Sequence, residues 1–129
     1  MDEIWKPIPG YEKFYEVSDR GRVRSVLRLA PHKRYGACVY QSYILKQTAL
    51  RNGYSSVKLS RSSKSKTYYV HHLVLLAFVG ERPRSAERGE IRHLDGCKHN
   101  NFLDNLVYGT TRENAADRKR HAIENRSVA

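Results

Sequence analysis

The feature that most constrains this chain is a long stretch without acidic residues. No Asp or Glu occurs from residue 20 to residue 80, although that stretch contains twelve Lys and Arg residues. Repulsion among so many cations opposes a compact fold unless a polyanion normally relieves it. Six tyrosines lie among the basic residues, and a mixture of cationic, aromatic and small polar side chains is typical of a nucleic-acid-binding surface. The pattern therefore favours a nucleic-acid partner; the alternative is a basic protein without one.

The composition is that of a small folded protein. The chain has 129 residues, of which 40% are hydrophobic and 29% charged, with a net charge of +11. No apolar run approaches the roughly 18 residues of a membrane span, and the acidic, polar start is not a secretory signal. Two cysteines without C-x-x-C spacing, Cys38 and Cys97, indicate a reducing compartment. We therefore expect an intracellular protein that is not secreted and has no membrane partner.

Turn and alternation signals predict a β-rich first half. Short strands at residues 14–17 and 22–26 flank the turn sequence Ser18–Gly21. Residues 30–43 contain proline and glycine and are predicted to form a loop or an insertion, and residues 61–66 form a basic hairpin tip. Further strands are predicted at residues 44–47, 54–59 and 67–70.

The second half mixes helices with short strands. An apolar helix is predicted over residues 71–79, with Gly80 as its C-terminal stop. Strands at residues 90–94 and 107–108 enclose a loop rich in Asn and Asp with a single helical turn, and a last helix runs to about residue 124. The predicted fold class is therefore α+β.

Residues 91–121 concentrate the side chains that can carry chemistry. A histidine with a pKa near neutrality can take a proton from water. A hard divalent cation held by oxygen or imidazole ligands can neutralise a phosphate. Positions 114, 117 and 121 fall on one helix face. The relevant residues are His93, Asp95, His99, Asn100, Asn101, Asp104, Asn105, Asn114, Asp117 and His121. This pattern indicates metal-dependent phosphodiester hydrolysis.

Several segments of the chain resemble the HNH homing-endonuclease family, namely residues 70–74, 91–101, 104–106 and 109–114. Residues 5–12 and 15–25 resemble the small NUMOD-type module that precedes such nucleases. Together the resemblances cover most of the chain, and the combination is common in phage-encoded and intron-encoded proteins. The resemblances therefore imply that the protein acts in the cytoplasm of a bacterial host. They also imply a NUMOD-like β-rich DNA-binding module at residues 1–60 and an HNH nuclease domain of the ββα-metal type (His-Me finger) at residues 61–129.

The resemblance also implies roles for individual residues. His93 matches the histidine that activates water, and Asn105 matches the loop asparagine that braces the hairpin. Asn114 matches a metal-ligand position, with Asp117 and His121 as further candidate ligands on the same helix.

One position departs from the family pattern. The residue before the general base is often Asp or Asn and binds the metal, but here it is Arg92, which cannot bind a cation. Three alternatives stay open. Residues 114–121 rebuild the metal shell, Arg92 holds the scissile phosphate instead, or catalysis is weak or lost.

The implied activity is hydrolysis of DNA with one divalent cation, giving 5′-phosphate and 3′-hydroxyl ends. Mg²⁺ is the expected ion, with Mn²⁺, Ni²⁺ and Zn²⁺ as alternatives. The expected partner is double-stranded DNA, bound by a monomer or a weak homodimer, and phage packaging proteins are a further candidate partner. Alternative functions are a non-catalytic DNA-binding module that retains the HNH scaffold and an RNA-binding protein. Phosphate contacts are predicted for Arg20, Arg22, Arg24, Arg51, Lys58, Lys64 and Lys66.

Overall fold

The computed structural model describes residues 2–81 and 90–109, together with Ala116 and Lys119. Within the two described ranges, eight strands precede one α-helix, and two further strands follow it, so strands and helix are segregated along the chain; the predicted α+β class is confirmed. In chain order the elements are β1 Trp5–Pro7, β2 Tyr15–Ser18, β3 Val23–Ser25, β4 Arg28–His32, β5 Gly36–Tyr40, β6 Thr48–Ala49, β7 Ser55–Arg61, β8 Lys64–Tyr69, α1 Val70–Phe78, β9 Glu90–His93, a 3₁₀ turn Leu103–Asn105 and β10 Leu106–Gly109.

The strands pair with their sequence neighbours. Two three-stranded sheets have the orders β1-β2-β3 and β6-β7-β8, and β4-β5 and β9-β10 form two-stranded antiparallel ribbons. The tight turn between β7 and β8 has positive φ at Ser62 (52°) and Ser63 (64°). Two central residues with positive φ match the right-handed twist of the flanking strands. The fold is therefore built largely from local hairpins.

Helix α1 lies at the centre of the apolar core. Among the described residues no side chain caps its N-terminus with a hydrogen bond, so its stability comes mainly from packing. Leu73 and Val74 are fully buried there. Both halves of the chain supply the core residues: Ile8, Val17, Val23, Val57, Leu59, Val70, Leu73, Val74, Leu75, Ile91 and Leu106. The predicted domain boundary after residue 60 falls inside the β7–β8 hairpin, and the division into two domains stays a prediction.

Two predictions for residues 30–47 are wrong. Residues 30–43, predicted as a loop or an insertion without strands of its own, contribute most of the β4–β5 ribbon. A two-stranded ribbon uses only one edge of each strand, so it tolerates Pro31, and Gly36 closes its turn with φ +76°. Residues 44–47, predicted as a strand, form only an isolated bridge between Ile44 and Arg24.

The helix predicted over residues 71–79 is confirmed, with its start one residue earlier. It ends where the N–H groups of Val79 and Gly80 both donate to the Leu75 carbonyl oxygen, at 2.8 and 2.9 Å. The hairpin of β9 and β10 is also confirmed. The last predicted helix lies outside the described residues, except for Ala116 and Lys119, which are helical and exposed. In the described part of the chain no helix is long and apolar enough to cross a bilayer.

Candidate active site

His93 is the last residue of β9 and lies opposite Leu106 of β10. Its side chain is 7% exposed, and its Nε2 lies 2.9 Å from Oδ1 of Asn101, which is 3% exposed. An amide oxygen can only accept a hydrogen bond, so Nε2 carries the hydrogen. In the neutral ring Nδ1 is then the nitrogen that can accept a proton.

The surroundings of His93 favour this neutral form. Burial lowers the pKa of His93 below its ordinary value, and the hydrogen bond to Asn101 and the charge of Asp95 only partly oppose the effect. Burial acts in this direction because it penalises the charged imidazolium. At pH 7 the ring is therefore ready to accept a proton rather than to donate one.

Aromatic rings from two other elements enclose His93. The centroid of the His71 ring, in the first turn of α1, is 5.1 Å from that of His93 in an edge-on arrangement. Tyr54, just before β7, lies 5.7 Å from His93 and 4.9 Å from His71. Tyr69 stacks on His71 with ring centroids 5.0 Å apart. The imidazole thus sits at the junction of the central helix, the β6–β8 sheet and the last hairpin.

Asn105 joins the two ends of the loop between β9 and β10. Its Oδ1 accepts a hydrogen bond from the Asp95 N–H, and its Nδ2 donates to Asp95 Oδ1 and to the Asn100 carbonyl oxygen, all at 2.9 Å. Burial alone would raise the pKa of Asp95, but hydrogen bonds from Asn100, Asn105 and the Cys97 N–H lower it overall. These contacts hold the loop closed, while a catalytic importance of Asn105 stays a prediction.

Arg92 occupies the position that the family pattern often gives to a metal ligand. Successive side chains of a strand point to opposite faces, so Arg92 and His93 lie on opposite faces of the hairpin. The stem of Arg92 crosses Gly109, where an added Cβ would lie 2.2 Å from Arg92 Cδ. Gly109 therefore gives Arg92 room to lie flat over β10.

The predicted metal ligands Asn114, Asp117 and His121 lie outside the described residues. Within the described ranges there is no group of three His, Cys, Asp or Glu side chains that could hold an ion. The metal site expected at residues 114, 117 and 121 therefore stays a prediction.

Two of the predicted DNA-binding residues are held in ion pairs. Arg22 pairs with Glu3, and this hydrogen bond lowers the pKa of Glu3 to about 2. Arg24 pairs with Glu16 at 2.8 Å and stacks over the Trp5 ring, 4.0 Å from its centroid. Both charges are thus partly neutralised within the first sheet.

The other predicted phosphate contacts are exposed but do not share one face. Lys58 is paired with Thr67 and Lys66 with Leu59 in the β7–β8 register. Residues directly opposed across two strands lie on the same face of the hairpin, and successive residues of one strand lie on opposite faces. Lys58 and Lys66 therefore lie on opposite faces of this hairpin. The remaining exposed members of the predicted set are Arg20, Arg51 and Lys64.

The sequence did not reveal which neighbours His93 would have. Asn101 was recognised as part of a motif, but several asparagines and histidines lie close to it in the chain. Tyr54 follows the dipeptide Asn52-Gly53 and His71 lies at the start of the apolar helix, and neither position predicts a contact with His93. Their convergence depends on the packing of three distant segments.

Two known protein families match separate parts of the chain. Residues 3–60 match the model of the NUMOD4 motif, and residues 68–116 match the model of the HNH endonuclease family. The chain therefore carries an N-terminal NUMOD4 motif followed by an HNH endonuclease domain.

Individual relatives point the same way. The chain is 32% identical to the DNA endonuclease I-HmuI of Bacillus phage SP01, a match that covers 97% of this chain and 63% of the relative. It is 30% identical to the uncharacterised HNH endonuclease L245 of Acanthamoeba polyphaga mimivirus, over 94% of this chain and 30% of that protein. The chain also matches a solved structure of I-HmuI, an HNH homing endonuclease that binds and cleaves DNA. The TM-score is 0.72 and the identity 30%, over 92% of this chain and 59% of that one. The chain thus spans less than two thirds of these relatives.

Proposed function

We propose that the chain is a metal-dependent DNA endonuclease in which His93 is the general base. The observation that carries the proposal is the buried His93 ring, whose Nε2 is held by Asn101 while burial lowers its pKa. A base of this kind is neutral at pH 7 and has a fixed orientation. The likeness to I-HmuI, a DNA endonuclease, supports DNA as the substrate.

In the proposed reaction Nδ1 of His93 takes a proton from a water molecule. The water oxygen attacks phosphorus as the bond from phosphorus to the 3′-oxygen breaks. The departing 3′-oxygen takes a proton from solvent, which leaves 5′-phosphate and 3′-hydroxyl ends. Asn101 stabilises the imidazolium that forms, because its amide oxygen accepts a hydrogen bond from the protonated ring as well. Asn114 with Asp117 or His121 would hold a divalent cation, most simply Mg²⁺, which would neutralise charge at the phosphate.

Arg92 favours a second candidate function, a DNA-binding module without catalysis. A guanidinium at a position that often holds a metal ligand cannot bind the ion, but it can bind a phosphate through two parallel hydrogen bonds. The two candidates therefore differ in whether a metal-dependent cut accompanies binding.

A plasmid-cleavage assay separates the candidates. Wild-type protein is incubated with supercoiled DNA in Mg²⁺ and in EDTA, beside His93→Ala and the matched control His99→Ala, which alters an exposed histidine of the same loop. We expect metal-dependent cutting, a loss of about 10²–10⁴-fold in His93→Ala and a rate near wild type in His99→Ala.

The proposal is wrong if His93→Ala cuts as fast as wild type. Duplex binding without cutting in any divalent ion would favour the second candidate. Competition between duplex DNA and structured RNA at a stated salt concentration tests the RNA-binding alternative.

A further inference from the structure

The turn between β2 and β3 lies directly against the residue that holds His93. Gly21 ends this turn, is buried and has a φ of +80°. A Cβ added to Gly21 would lie 2.7 Å from Asn101 Cβ and 2.8 Å from the Asn101 carbonyl oxygen. Two residues further along the loop, the Leu103 N–H donates to the Asp19 carbonyl oxygen at 2.7 Å. The N-terminal sheet and the active-site loop therefore meet at Asn101 with no space for a methyl group.

The turn is fixed from its own side as well. The fully buried Ser18 accepts hydrogen bonds on Oγ from the N–H groups of Arg20 and Arg22, at 3.2 and 3.1 Å. Gln47 donates through Nε2 to the Gly21 carbonyl oxygen at 2.7 Å. Because these hydrogen bonds restrain the turn, contact with the loop does not displace it, and the turn can hold the loop in a fixed position.

We propose that this turn is a positioning element for the general base, and that Gly21 and Gln47 are positioning residues. The turn fixes the backbone and Cβ of Asn101, and the amide oxygen of Asn101 fixes Nε2 of His93, 2.9 Å away. The inference rests on the proposed function, since positioning matters for catalysis only if His93 is the base. The N-terminal module thereby has a role besides DNA binding, because without this module the loop lacks the surface that orients Asn101.

A matched pair of glycine variants tests the proposal. Gly21→Ala adds a methyl group against Asn101, whereas Gly10→Ala adds one at a similar φ of +87° with no atom of the described residues within 4 Å. Both variants carry similar backbone strain, so only the contact with Asn101 differs. The readouts are the single-turnover cleavage rate, the DNA dissociation constant, and the ¹⁵N NMR shifts of the His93 ring in the free protein, which report its tautomer.

We expect Gly21→Ala to lower the cleavage rate by about 10²-fold, the loss typical of a reacting group misplaced by 1 Å. Its DNA affinity should stay close to wild type, and the His93 ring should lose the pure Nε2–H pattern. Gly10→Ala should retain the rate and the pattern. Equal rates and equal ring shifts in the two variants would overturn the proposal.

A second variant covers the case in which Gly21→Ala does not fold. Gln47→Ala removes the hydrogen bond to the turn without adding atoms, and we expect a change in the same direction and of smaller size. A wild-type rate together with wild-type ring shifts in Gln47→Ala would overturn the proposal. The ring shifts are independent of cleavage, so an inactive wild type would contradict the proposed function while the positioning of His93 is still measured.

Discussion

The loop between β9 and β10 and the β4–β5 ribbon have opposite relations to the rest of the molecule. In the loop, polar side chains are buried, with Asn101 at 3% and Asn105 at 8% exposure. In the ribbon, large apolar side chains face solvent, with Leu29 at 71% and Val39 at 54%. Burial of polar groups is tolerated only when they are hydrogen-bonded, so the loop depends on its neighbours, whereas the ribbon depends mainly on its own strand pairing.

This difference indicates where the sequence is constrained by folding and where it is available for binding. The guanidinium of Arg28 lies over the rings of Tyr40, 4.7 Å away, and Phe14, 5.1 Å away. Arg34 lies over Tyr35 at the tip. Basic and aromatic side chains on a projecting ribbon have little effect on the core, so selection for a partner can act on them directly.

The largest effect that sharpens this comparison is expected from Asn105→Ala. The change removes three hydrogen bonds and leaves groups of Asp95 and Asn100 without their partner. A part-buried hydrogen bond contributes about 0.5–1.5 kcal/mol, so for three of them we expect a loss of about 2–4 kcal/mol in the free energy of unfolding, measured by urea denaturation. Asn52→Ala, at an exposed asparagine, is the control and should cost less than about 1 kcal/mol. A loss as small as the control's would show that the loop does not depend on these bonds.

A second, intermediate effect concerns pH. The pKa of His93 is lowered in the folded protein by burial, while in the unfolded chain it is about 6.5. As pH falls below that value the unfolded state takes up the proton first, so stability is lost between about pH 6.5 and the lower folded pKa. We expect the stability difference between wild type and His93→Asn to shrink from pH 7.5 to pH 5.5.

The pH dependence of the cleavage rate should also follow the protonation of His93. Because the neutral ring is the active form, the rate should rise through an apparent pKa below about 6.5 and then level off near neutrality. A rate that is flat across this range in wild type, with chemistry limiting, would count against His93 as the base.

The elements that were predictable are those whose signals are local. A pattern within about ten residues predicts each of three elements: helix α1, the Ser18–Gly21 turn and the β9–β10 hairpin. The β4–β5 ribbon was missed because Pro31 and Gly36 signal a loop, although a free strand edge tolerates both. The position of His93 was predictable from its motif, but its contacts with Tyr54 and Asn101 were not. The contact with Tyr54 joins segments about 40 residues apart, and the contact with Asn101 joins a loop to the strand before it. Neither contact can be predicted from the spacing of residues in the sequence.

The smallest expected effect belongs to the ribbon. Leu29→Ala removes an exposed side chain, so the free energy of unfolding should change by less than about 0.5 kcal/mol. Leu59→Ala is the matched control in β7, where the leucine is fully buried, and should cost about 2–5 kcal/mol. Urea denaturation at two protein concentrations measures both. If Leu29→Ala proved as costly as the control, and only at the higher concentration, the ribbon would be buried against a second copy of the chain, because only an interface makes stability depend on concentration. The contrast between loop and ribbon would then hold for the monomer alone.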